Sequence, residues 1–347
     1  MVKRFAFAVP GDLSTPTGGY AYDRRMIAEL GKLGWQIEIV NLGAGFPFPN
    51  DTTRKAAHER LLAIPADRVV VVDGLALGVL PESARALRRL LALVHHPLAV
   101  ESGISAAQAE SLRASEQAAL SAARHVVVTS AATAQQLSSH YAVPAERITV
   151  VRPGSDPVHP APRSADNKVR LLSVGAVVPR KGYDVLITAL ATLSDLPWIL
   201  TIAGDCTRNP KAAAQLKADI EHHGLGDRVA VLGAVSAQQL GELYAQADVF
   251  ALASRFEGYG MAFAEAIAHG VPVVGTNAGA IPGTVPPDAG LLVAPDDATA
   301  FASALRRLIS NSDERRRYAY AARSAAGQLP TWPESAKLFA GALEAVT

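Results

Sequence analysis

Cysteine is almost absent from the sequence, since Cys206 stands alone among 347 residues. One thiol forms no internal disulfide, which excludes a disulfide-stapled secreted domain and makes the cytoplasm the expected location. The chain also lacks an excess of charge, because 33 basic and 32 acidic side chains give a formal net charge of +1. With no basic excess, we expect no nucleic-acid partner.

Long apolar runs are lacking as well. Stretches such as RVVVVDG end at charge and glycine well before the ~20 apolar residues that cross a bilayer. The start, MVKRFAFAVPGD, has basic residues before an apolar run, but that run ends at Pro10 and no small-residue cleavage site follows. We therefore predict a first strand there, and neither a signal peptide nor a membrane span.

Short β-branched runs alternate along the chain with longer Ala/Leu-rich segments of helical period. Six such runs lie up to Val151, and six more follow the segment RPGSDPVHPAPRSADN, which is rich in proline and small polar residues. This alternation is typical of crossover units on a parallel sheet. We predict an α/β fold of two doubly wound parallel-sheet (Rossmann-like) domains, which 347 residues accommodate.

The polar segment is predicted to be the linker between the two domains. We expect an N-terminal domain over residues 1–160 and a second domain over 161–328. Open sheets of this type bind ligands outside the carboxyl ends of their strands, so substrates are expected in the cleft that the domains face. Residues 329–347 are predicted to form a helix that packs back on the first domain, with apolar side chains near helical spacing: Trp332, Leu338, Phe339 and Leu343.

Two acids follow the strand DVFALAS in the second half. Glu257 and Glu265 lie eight residues apart, with Gly258 and Gly260 just after the first. The glycines let the backbone bend, and the helix predicted to start at Met261 offers an N-terminus that favours a phosphate. Taken in isolation, a turn acid and a solvated helix acid would also explain the pair.

Other candidates lie next to predicted strand ends. Arg180 and Lys181 follow the first strand of the second half, where paired cations can stabilise a departing diphosphate without a metal. Gly18 and Gly19 precede the first helix and permit close backbone approach to a phosphate or sugar, although most such pairs are flexible turns.

Two adjacent histidines, His95 and His96, end the fourth strand. Because neighbouring strand residues point to opposite faces, at most one should reach a ligand, and a histidine in this position is often structural.

The segment EGYGMAFAE resembles the E-x7-E signature of the family-4 retaining glycosyltransferases, which have the GT-B fold. The resemblance extends to SVGAVVPRKGYDVLI, with its Arg-Lys pair, and to TIAGDC, VAVLGAVS and VVGTNAGAIPG in the order of the family. It covers nearly the whole chain and is strongest from Leu171 to Val293. Two departures stand out: Gly283 occupies a position where relatives often carry an acid, and Tyr259 one where Phe is common.

The resemblance implies roles for the candidate residues. Arg180 and Lys181 would stabilise the diphosphate, Glu257 would hold the sugar hydroxyls and Glu265 the ribose. A histidine at the fourth strand end would contact the donor sugar, and the H-x-P spacing points to His95, with His96 left open. The remaining donor-side residues would be Gly18, Gly19, Ser254, Gly258, Tyr259 and Gly260.

The resulting hypothesis is a retaining glycosyltransferase that moves a hexose from a nucleotide diphosphate sugar, with a uridine diphosphate hexose favoured, to a hydroxyl acceptor. The acceptor is unidentified, and a lipid or cell-envelope glycan precursor is one option. We expect no cofactor and no metal, since no D-x-D motif is evident. A dehydrogenase is disfavoured because G-x-G-x-x-G is missing after either first strand. A non-catalytic sugar-nucleotide-binding protein remains the alternative.

The segment ESARALRRLLALVHHP mixes basic and apolar residues: Arg85, Arg88 and Arg89 with Leu87, Leu90 and Leu91. If these residues share one helix that runs into the fourth strand, that helix could lie on anionic lipid at the inner membrane face as a peripheral contact. The alternative is a domain helix with its leucines in the core and its arginines in water.

Overall fold

The computed structural model describes residues 3–101, 103–158 and 168–346. The chain divides into two compact units: unit 1 comprises Met1–Gly154 with Pro330–Thr347, and unit 2 comprises Ser155–Leu329. Within the described ranges each unit is built on one six-stranded sheet in which every strand pairing is parallel, and the predicted α/β fold class is confirmed. The predicted boundary at 160 and most of the predicted linker lie outside the described residues.

Unit 1 carries a sheet of strand order β2-β1-β3-β4-β5-β6. Its strands are β1 (Arg4–Val9), β2 (Gln36–Asn41), β3 (Val69–Asp73), β4 (Leu90–Val94), β5 (His125–Val128) and β6 (Ile148–Val150). The helices that connect them are α1 (Gly18–Lys32), α2 (Asp51–Leu62), α3 (Gly74–Leu77), α4 (Pro81–Ala86), α5 (Ala106–Ser121) and α6 (Ala131–His140).

The central strands of unit 1 are buried along their whole length. Every residue of β3 (VVVVD) and β4 (LLALV) is buried, as expected of parallel strands with helices on both faces. Helix starts are set by local chemistry: the Thr17 side chain caps α1, and Ser105 and Gln108 form a capping box at α5. The Thr17 cap fixes the first turn of α1, where the candidates Gly18 and Gly19 lie.

The structure corrects the placement of Leu90 and Leu91 on an amphipathic helix before the fourth strand. Helix α4 ends at Ala86, and Leu90 and Leu91 are fully buried in β4. Arg89 donates from Nη1 to the backbone oxygen of Asp67 at 2.7 Å. The leucines therefore serve the sheet core, and the helical face on which the membrane hypothesis depended does not form. Among the described residues, no helix has both the length and the apolar character that spanning a bilayer requires.

Unit 2 carries a sheet of strand order β12-β11-β10-β7-β8-β9. Its strands are β7 (Val169–Val174), β8 (Trp198–Ala203), β9 (Val229–Val231), β10 (Val249–Ala251), β11 (Val273–Thr276) and β12 (Gly290–Val293). Its helices are α7 (Tyr183–Ala191), α8 (Pro210–His222), α9 (Ala237–Gln246), α10 (Met261–Ala268), α11 (Ile281–Thr284), α12 (Ala298–Ser310) and α13 (Ser312–Ala326).

Glycines allow the segments after β7, β8 and β10 to touch backbone to backbone. A Cβ on Gly204 would lie 1.9 Å from the carbonyl oxygen of Gly175, and one on Gly182 would lie 2.0 Å from that of Ala253. Gly182 also has φ +63, in the left-handed region. The carboxyl ends of these strands are thus held together, which brings residues distant in sequence to one edge of the sheet.

The last helix, α14 (Trp332–Val346), belongs to unit 1, where it packs against α1 and the strands β4, β5 and β6. Trp332, Phe339 and Leu343 are buried, but Leu338 is 54% exposed, so its predicted place on the packed face was wrong. The buried stripe instead continues through Ala342 and Val346, which keep the three- and four-residue spacing that Leu338 breaks.

Candidate active site

One carboxylate and two cations meet at the carboxyl edge of the unit 2 sheet. Glu257 lies in the loop between β10 and α10, and Arg180 and Lys181 lie in a single 3-10 turn after β7. Lys181 Nζ donates to Glu257 Oε1 at 2.6 Å, and Arg180 Nη1 donates to Glu257 Oε2 at 3.2 Å. Because β7 and β10 are neighbours in the sheet, residues 76 positions apart come into contact.

The Glu257 carboxylate is held in its charged form. Burial alone would raise its pKa, but the charges of Lys181 and Arg180, with hydrogen bonds from Lys181 and Ser254, lower that pKa to about 2. Ser254 is itself buried and donates from Oγ to Glu257 Oε1 at 2.6 Å. Burial lowers the pKa of the Lys181 ammonium, whereas the Glu257 charge opposes that shift. The cluster is a largely buried ion-pair group of two cations and one carboxylate rather than a solvated basic turn.

Arg255 is a component of this region that the sequence analysis missed. Its guanidinium pairs with Asp184 at 2.6 Å and with Asp296 at 2.7 Å, and its backbone N–H donates to the Arg180 oxygen at 2.7 Å. These contacts tie the loop after β10 to the turn that carries Arg180 and Lys181. Its position in the sequence, two residues before Glu257, could have identified Arg255 as part of this region.

The glycines after Glu257 shape the start of α10. Gly260 is the N-cap residue with φ +88, and no described side chain caps this helix. Tyr259 is buried, and its backbone oxygen accepts from Thr284 Oγ1 at 2.6 Å. Gly258 lies in the same loop between β10 and α10. The loop therefore gives α10 an N-terminus without a side-chain cap, a geometry that favours an anion.

Glu265 occupies a different environment from Glu257. It lies on α10, where Tyr244 of α9 donates its hydroxyl to Glu265 Oε2 at 2.9 Å. Burial is the main cause that raises the pKa of Glu265 to about 7, with Asp156 adding to the shift and the Tyr244 hydrogen bond opposing it. The two acids of the motif therefore titrate far apart, and Tyr244 is a partner that the motif itself did not reveal.

In unit 1, Gly18 and Gly19 are the first two residues of α1. A Cβ on Gly19 would lie 3.3 Å from Cδ2 of His95, so the missing side chain lets the imidazole approach the first turn of the helix. His95 Nε2 lies 3.1 Å from Asp23 Oδ1, whereas His96 Nε2 lies 2.5 Å from Glu101 Oε1. The two histidines thus have different partners, and His95 is the one beside the glycines.

A buried acidic pair accompanies His95. Asp23 on α1 and Asp73 at the end of β3 are buried, and their oxygens and the His95 nitrogen lie within 4.8 Å of one another. The sequence analysis missed both acids. The signals were present, because Asp73 ends an apolar strand at the edge where His95 follows β4, and Asp23 lies one turn after Gly19.

Two Rossmann-like units, one with the Arg180–Lys181–Glu257 cluster at its strand ends, define the class: this is a GT-B fold. Solved structures agree with that fold at low sequence identity. Sucrose-phosphate synthase from Thermosynechococcus elongatus superposes with a TM-score of 0.82 at 21% identity, covering 97% of this chain and 98% of that one. Anabaena HepE in complex with UDP-glucose superposes with a TM-score of 0.78 at 18% identity, covering 98% and 99%.

Two family models match consecutive parts of the chain. The model described as Glycosyltransferase Family 4 matches residues 81–159, and the model described as Glycosyl transferases group 1 matches residues 156–325. Together they cover more than half of the 347 residues. The chain belongs to the family-4 glycosyltransferases of the GT-B fold, and the predicted resemblance is confirmed.

Curated relatives are similar over part of their length. The D-inositol 3-phosphate glycosyltransferase of Xylanimonas cellulosilytica is 32% identical over 238 residues, which is 64% of this chain and 57% of that protein. The MMP alpha-(1->4)-mannosyltransferase of Mycolicibacterium hassiacum is 29% identical over 309 residues, 83% of this chain and 73% of that protein. The chain thus spans little more than half the length of the first of these relatives.

Proposed function

We propose that the protein is a retaining glycosyltransferase that transfers a hexose from a uridine diphosphate hexose to a hydroxyl acceptor. The observation that carries the proposal is the Arg180–Lys181–Glu257–Ser254 cluster in unit 2. It offers two fixed cations for a diphosphate and a fixed carboxylate for sugar hydroxyls. Two relatives, an inositol-phosphate glycosyltransferase and a mannosyltransferase, support the same reaction type.

Arg180 and Lys181 are proposed to stabilise the leaving nucleotide. As the bond from the sugar C1 to the diphosphate oxygen breaks, negative charge grows on that oxygen, and fixed cations stabilise it without reorganisation. Because Glu257 already holds both cationic side chains in place, they do not have to be ordered when a donor binds. The acceptor oxygen would attack C1 from the face that the nucleotide leaves and pass its proton to the departing diphosphate oxygen. Attack from that face retains the configuration, and no covalent nucleophile is invoked.

The remaining proposed roles follow the same residues. Glu257 orients sugar hydroxyls, Glu265 accepts from the nucleotide ribose, and Ser254 lines the donor side. The backbone of Gly258, Tyr259 and Gly260 leads into the N-terminus of α10, where an anion is favoured. In unit 1, His95 is proposed as a catalytic residue and Gly18 and Gly19 as donor-side residues. A required metal is not part of the proposal.

The choice of uridine rests on a neighbour of the fold rather than on this chain's residues. HepE was solved with UDP and with UDP-glucose, and the UDP-glucose complex shares the fold at a TM-score of 0.78. Supporting evidence would be a thermal shift and a calorimetric Kd for UDP-glucose or UDP-galactose that is at least tenfold tighter than for GDP-mannose. A tighter Kd for GDP-mannose would overturn the uridine assignment and leave the transfer reaction standing.

Turnover separates the enzyme from its alternative, a sugar-nucleotide-binding protein. The full chain is incubated with the preferred donor and with inositol 3-phosphate or simple sugar phosphates as acceptor probes, and release of nucleotide diphosphate is followed. Nuclear magnetic resonance of the product then reports the anomeric configuration. If the wild type binds the donor but releases no more nucleotide diphosphate than the Arg180→Ala variant with any acceptor probe, the binding-protein alternative is favoured. An inverted product would refute retention.

A further inference from the structure

Three buried polar side chains from separate elements of unit 1 meet beside the first turn of α1. Asp23 comes from α1, Asp73 from the end of β3, and His95 directly follows β4. Asp23 and Asp73 are 0% and 2% exposed, and the His95 side chain is 18% exposed. Two neighbouring carboxyl groups in such a place are costly when both are charged, so the arrangement requires an explanation.

The hydrogen bonds of these three side chains show which carboxylate oxygen lacks a donor. Asp23 Oδ1 lies 3.1 Å from His95 Nε2, and Asp73 Oδ1 accepts from the Leu75 N–H at 2.7 Å. Asp23 Oδ2 is buried, and no described N–H or O–H reaches it. Asp73 is hydrogen-bonded to Asp23, and a bond between two carboxyl groups needs one proton, so a proton carried by Asp73 can supply the donor that Asp23 Oδ2 lacks.

The electrostatics agree with a proton on Asp73. Burial first, and then the charge of Asp23, raise the pKa of Asp73 to about 7, while the charge of His95 acts in the opposite direction. For His95, burial lowers the pKa, but the charge of Asp23, its hydrogen bond and the charge of Asp73 outweigh burial and leave the pKa raised. These shifts favour a proton on Asp73, and because Nε2 of His95 is the ring nitrogen that faces Asp23, they favour an imidazole that donates from Nε2.

We propose that Asp23 and Asp73 are positioning residues that hold the His95 ring in one orientation, with Nε2–H donating to Asp23 and Asp73 donating a shared proton to the other Asp23 oxygen. The catalytic consequence, that Nδ1 of His95 is the ring nitrogen left for substrate, rests on the proposed function. The proton arrangement does not rest on the proposed function, because it is argued from the geometry of the three side chains.

Packing around the ring supports a single orientation. The Tyr22 ring meets the imidazole edge to face at a centroid distance of 5.4 Å and an angle of 82°. Gly19 lies against Cδ2 on another side, and Thr129 donates from Oγ1 to the His95 backbone oxygen at 3.2 Å. A flip of the ring would break the hydrogen bond from Nε2 to Asp23 and leave that carboxylate without its donor, so these contacts favour one orientation.

The test reads the imidazole directly in the full chain labelled with 15N-histidine. Two-bond 1H–15N spectra report the tautomer and the pKa of each ring, and the resonance lost in His95→Gln identifies His95. We expect wild-type His95 to be the Nε2–H tautomer above its pKa, and that pKa to lie above 6.5. A wild-type His95 that carries its proton on Nδ1 would overturn the proposal without any variant.

Two substitutions separate the roles of the acids. Asp23→Asn should lower the His95 pKa and mix the tautomers, whereas Asp73→Asn, whose amide can replace the donated proton, should keep the Nε2–H tautomer. Glu101→Gln is the matched control, because it contacts His96 and should leave the His95 signals unchanged. Equal effects of the two asparagine variants, or nitrogen shifts of a tightly retained metal ion at His95, would refute the shared-proton arrangement.

Enzyme activity is a second measurement, and its outcome is independent of the histidine spectra. If transfer occurs as proposed, Asp23→Asn should lower kcat roughly 10-fold or more with little change in the donor KM, because it disturbs a positioned catalytic group rather than donor binding. Asp73→Asn should retain most of kcat. Absence of transfer in the wild type would reject the proposed function while the spectra still decide the proton arrangement, and an unaltered kcat in Asp23→Asn would remove the positioning role.

Discussion

The ammonium nitrogen of Lys181 lies 2.6 Å from Oε1 of Glu257, although 76 residues separate the two in the chain. The other carboxylate oxygen lies 3.2 Å from the Arg180 guanidinium, so one buried acid pairs with both cations and leaves a net positive charge. The pairing keeps both cations ordered in the interior, where an unpaired charge would be costly. The same geometry would let a donor diphosphate meet preorganised cations.

Replacing either cation should reduce turnover strongly. Arg180→Ala or Lys181→Ala should lower kcat/KM about 100-fold or more, because each removes a charge that stabilises the departing diphosphate. Steady-state kinetics with the preferred nucleotide sugar provide the measurement. Lys217→Ala is the matched control, since Lys217 is an exposed unit 2 lysine whose ion pair with Glu221 is 3.8 Å long. Near-normal turnover in both cation variants would remove the diphosphate assignment.

The acid stability of the protein should depend on Glu257. Its pKa is lowered to about 2 from 4.5, so its contribution is present above pH 4.5 and is lost as the pH falls towards 2. A shift of this size corresponds to a contribution on the order of 3 kcal/mol. Glu257→Gln should therefore be less stable than wild type at pH 7, with a difference that narrows at pH 3. Urea unfolding at both pH values checks this, and a constant difference would contradict it.

The two acids of the motif should differ in what they bind. Glu265→Gln should weaken binding of the free nucleotide, since Glu265 is proposed to accept from the ribose. Glu257→Gln should weaken binding of the nucleotide sugar but leave free nucleotide at least as tightly bound, because removing the carboxylate frees Arg180 and Lys181 for the diphosphate. Calorimetry with UDP and a UDP-hexose measures both. The reverse order would exchange the two proposed roles.

Glu116 should make unit 1 less stable in alkali. It is buried on α5 and accepts from the Leu98 N–H at 2.9 Å, and burial raises its pKa to about 8 from 4.5. Its protonated form is favoured by folding, so stability is fully present below pH 4.5 and falls as the pH rises through 8. Glu116→Gln mimics the protonated form and should exceed wild type at pH 9, by up to about 5 kcal/mol.

Denaturant midpoints at pH 5 and pH 9 provide the comparison for Glu116. The variant and the wild type should be nearly equal at pH 5, where both carry a neutral side chain. Glu82→Gln, at the exposed start of α4, is a control that should not change the pH dependence. A Glu116→Gln variant that loses stability equally at both pH values would show that the carboxylate, rather than the acid, is the native form.

Gly204→Ala should disrupt unit 2, whereas Gly241→Ala should not. A Cβ at Gly204 would meet the Gly175 carbonyl oxygen at 1.9 Å and the Gly175 carbonyl carbon at 2.4 Å, and both are backbone atoms that cannot move aside as a flexible side chain would. A Cβ at Gly241 in α9 meets no described atom within 4 Å, and alanine favours a helix over glycine by about 1 kcal/mol. Thermal unfolding of the two variants checks the contrast. Equal stability would mean that the ends of β7 and β8 are not packed backbone to backbone.

Most of the secondary-structure elements and the family were predictable from local patterns in the chain. Alternation of β-branched runs with Ala/Leu-rich segments predicted both parallel sheets, and collinear motifs around Arg180, Lys181 and Glu257 identified the family. These signals are local, because periodicity and turn residues act over a few positions along the chain. Local patterns failed where the same apolar residues fit either a helix or a strand. Leu90 and Leu91 follow helix-compatible residues, but they belong to a buried strand.

Which side chains come into contact depends on how the strands are ordered in the folded sheets. Sheet order places β7 beside β10 and β3 beside β4, and this order pairs Lys181 with Glu257 and brings Asp73 to His95. Periodicity along the chain carries no information about strand order, and a charge distant in sequence leaves no local trace. The protonation of these groups follows from the same cause, because burial and neighbouring charge arise only when the elements pack, and together they set the pKa of Glu257 to about 2 and that of Asp73 to about 7.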